Sequence, residues 1–212
     1  MESQQQVTPA VGQNPQSLPP AGIPSVTGGM ELGMDNAATV KFELTHVFDK
    51  MKVIRAFVFD VDGIFTDNGL LITEAGEFLR TMSVRDGQAI KWAVEAGYPI
   101  GIITGGTSEG VKKRFTQQLG ISEYYSGIKD KAVAFQSFMQ RTGIHSTEIC
   151  YMGDDLPDLP PIRKSALACC PSDAVHEVIA ACDYVSPYPG GAGCVRDVLE
   201  KVMKLQGKWP KY

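Results

Sequence analysis

Three apolar runs in this chain stop abruptly at polar, glycine-bearing motifs, and that pattern restricts its fold more than any other feature. Val53-Ile54-Arg55-Ala56-Phe57-Val58-Phe59 ends at Asp60-Val61-Asp62-Gly63. Residues 99–103 end at Thr104-Gly105-Gly106, and residues 149–152 end at Gly153-Asp154-Asp155. Runs of this kind read as parallel strands buried on both faces. Residues 167–170 read as a further strand, and 69–73 and 78–84 as a hairpin turning around 74–77. Helices are expected from Asp86 or Gly87 to Gly97, from Thr107 or Ser108 to Leu119, and over 129–142. Shorter ones are expected from Leu159, over 172–181 and over 195–206. Strand and helix alternate, so the fold class is α/β, a parallel sheet with helices on both faces. In such sheets ligands bind beyond the carboxyl ends of the strands, where Asp60, Thr104 and Asp154 fall.

Residues 1–40 lack this patterning. They are rich in Gln, Pro, Gly and Ser and bury too little to offset their ordering entropy, so they are expected to be a disordered leader. A start codon further downstream (Met30, Met34 or Met51) and a regulatory tail are the other readings of this stretch. The folded domain is expected over 41–212. A net charge of -4, with no block of like charge, gives no sign of a nucleic-acid or membrane partner. Five scattered cysteines without C-x-x-C spacing read as free thiols in a reducing compartment. With no apolar span and no signal peptide, a cytoplasmic location is expected.

The strand-end motifs suit phosphoryl chemistry. Two carboxylates two residues apart, Asp60 and Asp62, repel each other unless a cation joins them, and magnesium takes carboxylate and phosphate oxygens. One carboxylate can attack phosphorus while the other moves the proton. The same D-x-D-G can equally be a plain turn. Gly153-Asp154-Asp155-Leu156-Pro157-Asp158 is a second acidic cluster after a buried strand. It reads as a helix-capping loop by itself, and as half of a shared cation site beside Asp60 and Asp62. Thr104 with Gly105 forms either a phosphate cradle at a helix start or an ordinary N-cap. Lys131 opens a helix, where a cation is unfavourable for the dipole. It serves a phosphate or a carboxylate there, or else it is a surface lysine.

Taken in order, Asp60-x-Asp62-Gly63 with Thr66, then Thr104, then Lys131, then Gly153-Asp154-Asp155-x-x-Asp158 resemble the four motifs of the haloacid-dehalogenase phosphatases. The resemblance spans about residues 52–207. It implies a three-layer Rossmann-like fold. It also implies Asp60 as nucleophile, Asp62 as general acid and base, and Thr104, Gly105 and Lys131 on the phosphoryl group. Mg2+ would sit on Asp60, the Asp62 carbonyl and Asp154, with Asp155 and Asp158 supporting it. Residues 63–103 and 132–153 leave no room for a cap domain. The chain is therefore similar to the capless, hairpin-bearing branch typified by 3-deoxy-D-manno-octulosonate 8-phosphate phosphatase, which acts toward the lipopolysaccharide core.

Ser83-Val84-Arg85-Asp86-Gly87, Gly120-Ile121, the stretch Gly190-Gly191-Ala192-Gly193-Cys194-Val195-Arg196-Asp197 and the closing Leu205-Gln206-Gly207-Lys208 also match that branch. The match implies a homotetramer whose hairpins pack between subunits and whose glycine-rich stretch covers a neighbour's site. It implies substrate contacts from Ser83, Val84, Arg85, Asp86, Gly87, Lys91, Arg114 and Arg196. Gly106 departs from the branch, many of whose members carry Arg there. A related enzyme for a nonulosonate 9-phosphate also lacks that arginine, so this sugar acid is the second substrate reading. A non-catalytic module on the same fold would be expected to lose a motif residue, and all four motifs are intact. In a receiver-like domain no second Asp would stand two residues after the phosphorylated one.

Overall fold

The computed structural model describes residues 46–211, so the expected leader lies outside the described residues. A six-stranded parallel sheet forms the middle layer. It is built from β1 (Ala56–Phe59), β4 (Ile100–Ile103), β5 (Glu123–Tyr125), β6 (Ile149–Met152), β7 (Leu167–Cys170) and β8 (Tyr184–Val185). Their spatial order is β5-β4-β1-β6-β7-β8. In β1, β4, β6 and β7 every residue is buried.

Successive side chains alternate between the two faces, as strand geometry requires. Phe57 and Phe59 point into one core with Met51, Ile90, Phe115 and Val198. Ala56 and Val58 point into the other, with Phe135, Phe138, Ile162 and Val178. The first core lies under α1 (Val47–Val53), α2 (Val84–Glu95), α3 (Glu109–Lys113) and α7 (Cys194–Leu205). The second lies under α4 (Lys131–Thr142), α5 (Leu159–Ile162) and α6 (His176–Ile179). The helices after β1 and β4 therefore cover one face, and those after β5 and β6 cover the other. The topological switch point falls between β1 and β6, where Asp60 and Asp154 end their strands.

The expected architecture is present, with local corrections. The first strand starts at Ala56 because Val47–Val53 forms α1, capped by the His46 side chain. Helix α2 starts at Val84, two residues early, because the Ser83 hydroxyl accepts from the Asp86 amide and caps it. The helix expected to run to Leu119 stays regular only over Glu109–Lys113 and widens into a π-turn at Arg114–Gln118. Residues 172–181 supply only the short α6. The hairpin pairs β2 (Leu71–Ile72) with β3 (Phe78–Leu79), each two residues long. The strands β5 and β8 were not expected. They lie at the two sheet edges, are only partly buried and carry no continuous apolar run. Between β1 and β4 the chain makes only this hairpin and α2, so no cap domain is inserted there.

Candidate active site

The ends of β1, β4 and β6 and the start of α4 converge on one cleft. It is lined by Asp60, Asp62, Thr104, Gly105, Lys131, Asp154 and Asp155, with Asn68, Gly106, Lys129 and Asp173 at its sides. Asp60 is the first residue after β1, and its amide donates to Met152 O at 3.0 Å, which fixes its height above the sheet. Its carboxylate meets Lys131 Nζ at 2.8 Å. The same ammonium reaches Asp158 Oδ1 at 2.8 Å. Lys131 and Asp60 are each 7 % exposed, and Asp158 is fully buried.

Asp158 is occupied on every side. Its Oδ1 also accepts from the Tyr151 hydroxyl at 2.6 Å, and its Oδ2 accepts from the amides of Asp154 and Asp155. Asp155 returns the contact by capping Leu156, which closes a reciprocal capping box. The acidic loop is thus a helix cap and a cation partner at once. Asp154 Oδ2 accepts from Asn68 Nδ2 at 2.9 Å. Gly63 stands against this carboxylate with φ +78°, and a side chain there would overlap Asp154. The glycine in D-x-D-G therefore serves both the turn and the close approach of the second acidic loop.

Charge dominates the energetics. Burial pushes the Asp60 carboxyl up to about 7, Asp158 adds to the shift and Lys131 opposes it. Burial pushes Asp154 up to about 6, against the hydrogen bond from Asn68. Burial alone would lower Lys131, but the carboxylates of Asp60 and Asp158 hold it above its usual value. One ammonium faces three buried carboxylates whose oxygens lie within 4.8 Å of one another. A second cation completes the charge balance, and an all-oxygen donor set suits magnesium.

The sign of the pH effect follows. Between about 4 and 7 the folded, metal-free chain binds more protons at Asp60 and Asp154 than the unfolded chain does, so stability falls as pH rises through that window. The metal-free protein is expected to melt higher at pH 5 than at pH 7.5, and Mg2+ is expected to raise the melting temperature mainly at pH 7.5. Calorimetry at both pH values checks this, and an equal magnesium shift at the two contradicts it.

Thr104 is buried, and its Oγ1 accepts from the Gly106 amide at 3.0 Å, which leaves the hydroxyl proton free for the cleft. Gly105 is exposed at the cleft surface. Asp62 is only partly buried, and both its oxygens are held by Arg80 from the hairpin.

The eight expected substrate contacts do not join this cleft within one chain. Ser83 caps α2, and Val84 is 79 % exposed. Asp86 is fully buried, and its two oxygens accept from the amides of Gly193 and Arg196. It ties α2 to the start of α7. Gly87 lies under the Arg114 guanidinium, which also bonds Gln118. Lys91 is exposed on α2. The Arg196 guanidinium lies 5.5 Å from the ring centroids of both Trp92 and Trp209 and pairs with Glu200. Arg85 and Arg196 line a separate cavity with Tyr188, Glu200, Lys201 and Lys204. The glycine-rich stretch packs on its own chain, where the Gly191 amide donates to Ile64 O.

Asn68, Arg80, Lys129 and Asp173 escaped the sequence reading of the site, as did Tyr151 behind Asp158. Asn68 carries no motif. Arg80 is the only cation in residues 69–84, a signal that was available.

A haloacid dehalogenase-like hydrolase family profile matches residues 70–165. The chain is 36 % identical over 164 residues to the 3-deoxy-D-manno-octulosonate 8-phosphate phosphatase KdsC of Salmonella typhi, covering 77 % of this chain and 87 % of that one. The crystal structure of the 3-deoxy-D-manno-octulosonate 8-phosphate phosphatase from Yersinia pestis superposes with a TM-score of 0.75 at 31 % identity, covering 77 % of this chain and 88 % of that one. The enzyme of the same name from Moraxella catarrhalis, in complex with magnesium, phosphate and KDO, superposes with a TM-score of 0.74 at 32 % identity, covering 77 % and 94 %.

Proposed function

The chain belongs to the haloacid dehalogenase-like hydrolases, alongside the 3-deoxy-D-manno-octulosonate 8-phosphate phosphatases, and from that premise we propose that it hydrolyses 3-deoxy-D-manno-octulosonate 8-phosphate to the free sugar acid and phosphate. The observation that carries the reading is the convergence of Asp60, Lys131 and Asp154 on one cleft, with Asp62 and Thr104 at its rim. Asp60 attacks phosphorus and becomes an aspartyl phosphate. Lys131 holds Asp60 in place, and with the Thr104 hydroxyl and the Gly105 amide it binds the phosphoryl oxygens. Asp62 gives a proton to the departing sugar oxygen and then takes one from the water that cleaves the intermediate. Asp60, the Asp62 carbonyl and Asp154 would hold Mg2+, with Asp155 and Asp158 fixing the loop behind them. When bound, the ion neutralises the phosphoryl charge and the repulsion among the carboxylates.

Asp154→Ala tests this arrangement. Phosphate release is expected to need far more magnesium, or to fail at any concentration, while the fold is kept. Unchanged magnesium dependence moves the metal elsewhere.

The reading includes a homotetramer with shared sites. Leu70, Leu71, Ile72, Phe78 and Leu79 of the hairpin are all 46 % exposed or more, an apolar surface that suits contact with copies of itself. Arg85 and Arg196, which lie outside their own chain's cleft, would then serve a neighbour's. Leu71→Ser combined with Phe78→Ser is expected to yield a monomer in sedimentation, with most activity lost. An assembly unchanged by both substitutions rules the hairpin out. The five cysteines are all free thiols, which accords with a site in the reducing cytoplasm.

A further inference from the structure

The shortest polar contact to Asp62 comes from a residue outside the four motifs. Arg80 Nε donates to Asp62 Oδ1 at 2.6 Å, and Nη2 donates to Oδ2 at 3.3 Å. The Arg80 side chain is only 12 % exposed, although it springs from the hairpin. Its Nη1 also reaches Phe78 O at 3.4 Å, which anchors the guanidinium to its own strand. A planar fork on a carboxylate fixes both the direction and the plane of the acid, which a point charge cannot do. The fork also borders the phosphate-binding loop. A Cβ placed on Gly106 would lie 3.6 Å from Arg80 Nη2, 3.7 Å from Asp62 Oδ2 and 3.4 Å from Thr104 Oγ1. Tyr124 lines the same small cleft, and its buried hydroxyl has no hydrogen-bond partner among the described residues.

We propose that Arg80 is a positioning residue for Asp62, aiming the more loosely held Oδ2 at the leaving oxygen and stabilising the carboxylate that remains. The inference rests on the assignment of Asp62 as proton donor. As Asp60 bonds to phosphorus, the P–O bond electrons pass to the ester oxygen and the Asp62 proton follows them. Asp62 is then an anion, and Arg80 Nη2 is already beside it. The charge forms against a preorganised donor and needs no rearrangement of solvent. The longer of the two contacts is the one that yields Oδ2 to the ester, while the 2.6 Å contact keeps the aim.

The dependence of kcat/KM on leaving-group pKa separates this role from a merely structural one. A series of aryl phosphates from nitrophenyl to unsubstituted phenyl serves as probe, with magnesium present. Nitrophenolate departs without a proton, whereas phenolate gains more from one. Arg80→Ala and Asp62→Asn are both expected to steepen the dependence, losing about ten-fold more at the phenyl ester than at the nitrophenyl ester. Arg80→Lys, which keeps the charge but not the fork, is expected to lie between Arg80→Ala and the native enzyme. If Asp62→Asn steepens the slope and Arg80→Ala lowers the whole series evenly, Arg80 only holds the hairpin and the inference is overturned. If neither variant steepens it, Asp62 is not the proton donor and the assignment beneath the inference fails.

Discussion

Asp60→Asn is expected to release no measurable phosphate, a loss of at least about 10³-fold, while its metal-free form melts no lower than the native chain. The two halves of this expectation have separate causes. An amide oxygen is too weak a nucleophile to form the acyl phosphate, so turnover stops at its first step. Stability does not suffer, because the native carboxylate is itself a burden. Burial and Asp158 together push Asp60 up to about 7, so its charged form is disfavoured where it stands. Asn keeps the shape, and Lys131 retains Asp158 at 2.8 Å. The stabilisation given by magnesium should be largely lost, since one carboxylate of the cation site is gone. Near-native turnover would assign the nucleophile to another residue, and a large fall in metal-free stability would mean that Asp60 is a net structural asset.

Lys131→Ala is expected to damage both stability and activity. Among the described residues Lys131 is the one ammonium paired with these buried carboxylates, and removing it leaves Asp60 and Asp158 facing each other. Breaking a buried ion pair from one side costs about 3–5 kcal/mol, since the remaining charge is left uncompensated. At roughly 2–4 °C per kcal/mol for a domain of this size, the melting temperature should fall by about 6–20 °C. Low pH is expected to recover part of the loss by protonating Asp60, and magnesium another part by neutralising it. Phosphate release should collapse even where the fold survives, because the phosphoryl group loses a donor and Asp60 loses its anchor. Thermal melts at pH 5 and pH 7.5, with and without magnesium, separate these contributions. A melting temperature within a degree or two of native at pH 7.5 would mean that Lys131 is not the keystone of this cluster.

Much of this was readable in the chain before its structure, for a physical reason. A parallel strand buried on both faces must be apolar along its length, so β1, β4, β6 and β7 announce themselves and so do the residues where they stop. Asp60, Thr104 and Asp154 are found at those ends because the switch point lies there, and Lys131 joins them from the start of α4. The edge strands β5 and β8 were hidden because half-buried strands need no such run.

Asn68 was hidden for a different reason, and Arg80 was visible as a lone cation while its target was not. Each reaches the site through a contact made only in the folded chain, Asn68 with Asp154 and Arg80 with Asp62, although the hairpin that carries Arg80 was itself expected. The role of Asp158 was legible only in outline. That it would bind Lys131, Tyr151 and two amides together depends on where α4 and β6 meet in space. The substrate contacts drawn from family resemblance lie outside the cleft of their own chain. Asp86 matches by place, yet its oxygens are spent on the amides of Gly193 and Arg196. Arg85 and Arg196 match as well, but they open on a different cavity of the same chain.

The central claim is that this cleft is a magnesium-dependent phosphatase for an eight-carbon sugar-acid phosphate. The most direct test is the rate of phosphate release, with magnesium and with chelator, from 3-deoxy-D-manno-octulosonate 8-phosphate, a nonulosonate 9-phosphate and simple hexose phosphates. The account predicts release that requires magnesium and a kcat/KM highest for the octulosonate ester. A higher value for the nonulosonate ester would contradict the substrate and keep the chemistry, and release that is indifferent to chelation would contradict the metal site on which the whole account stands.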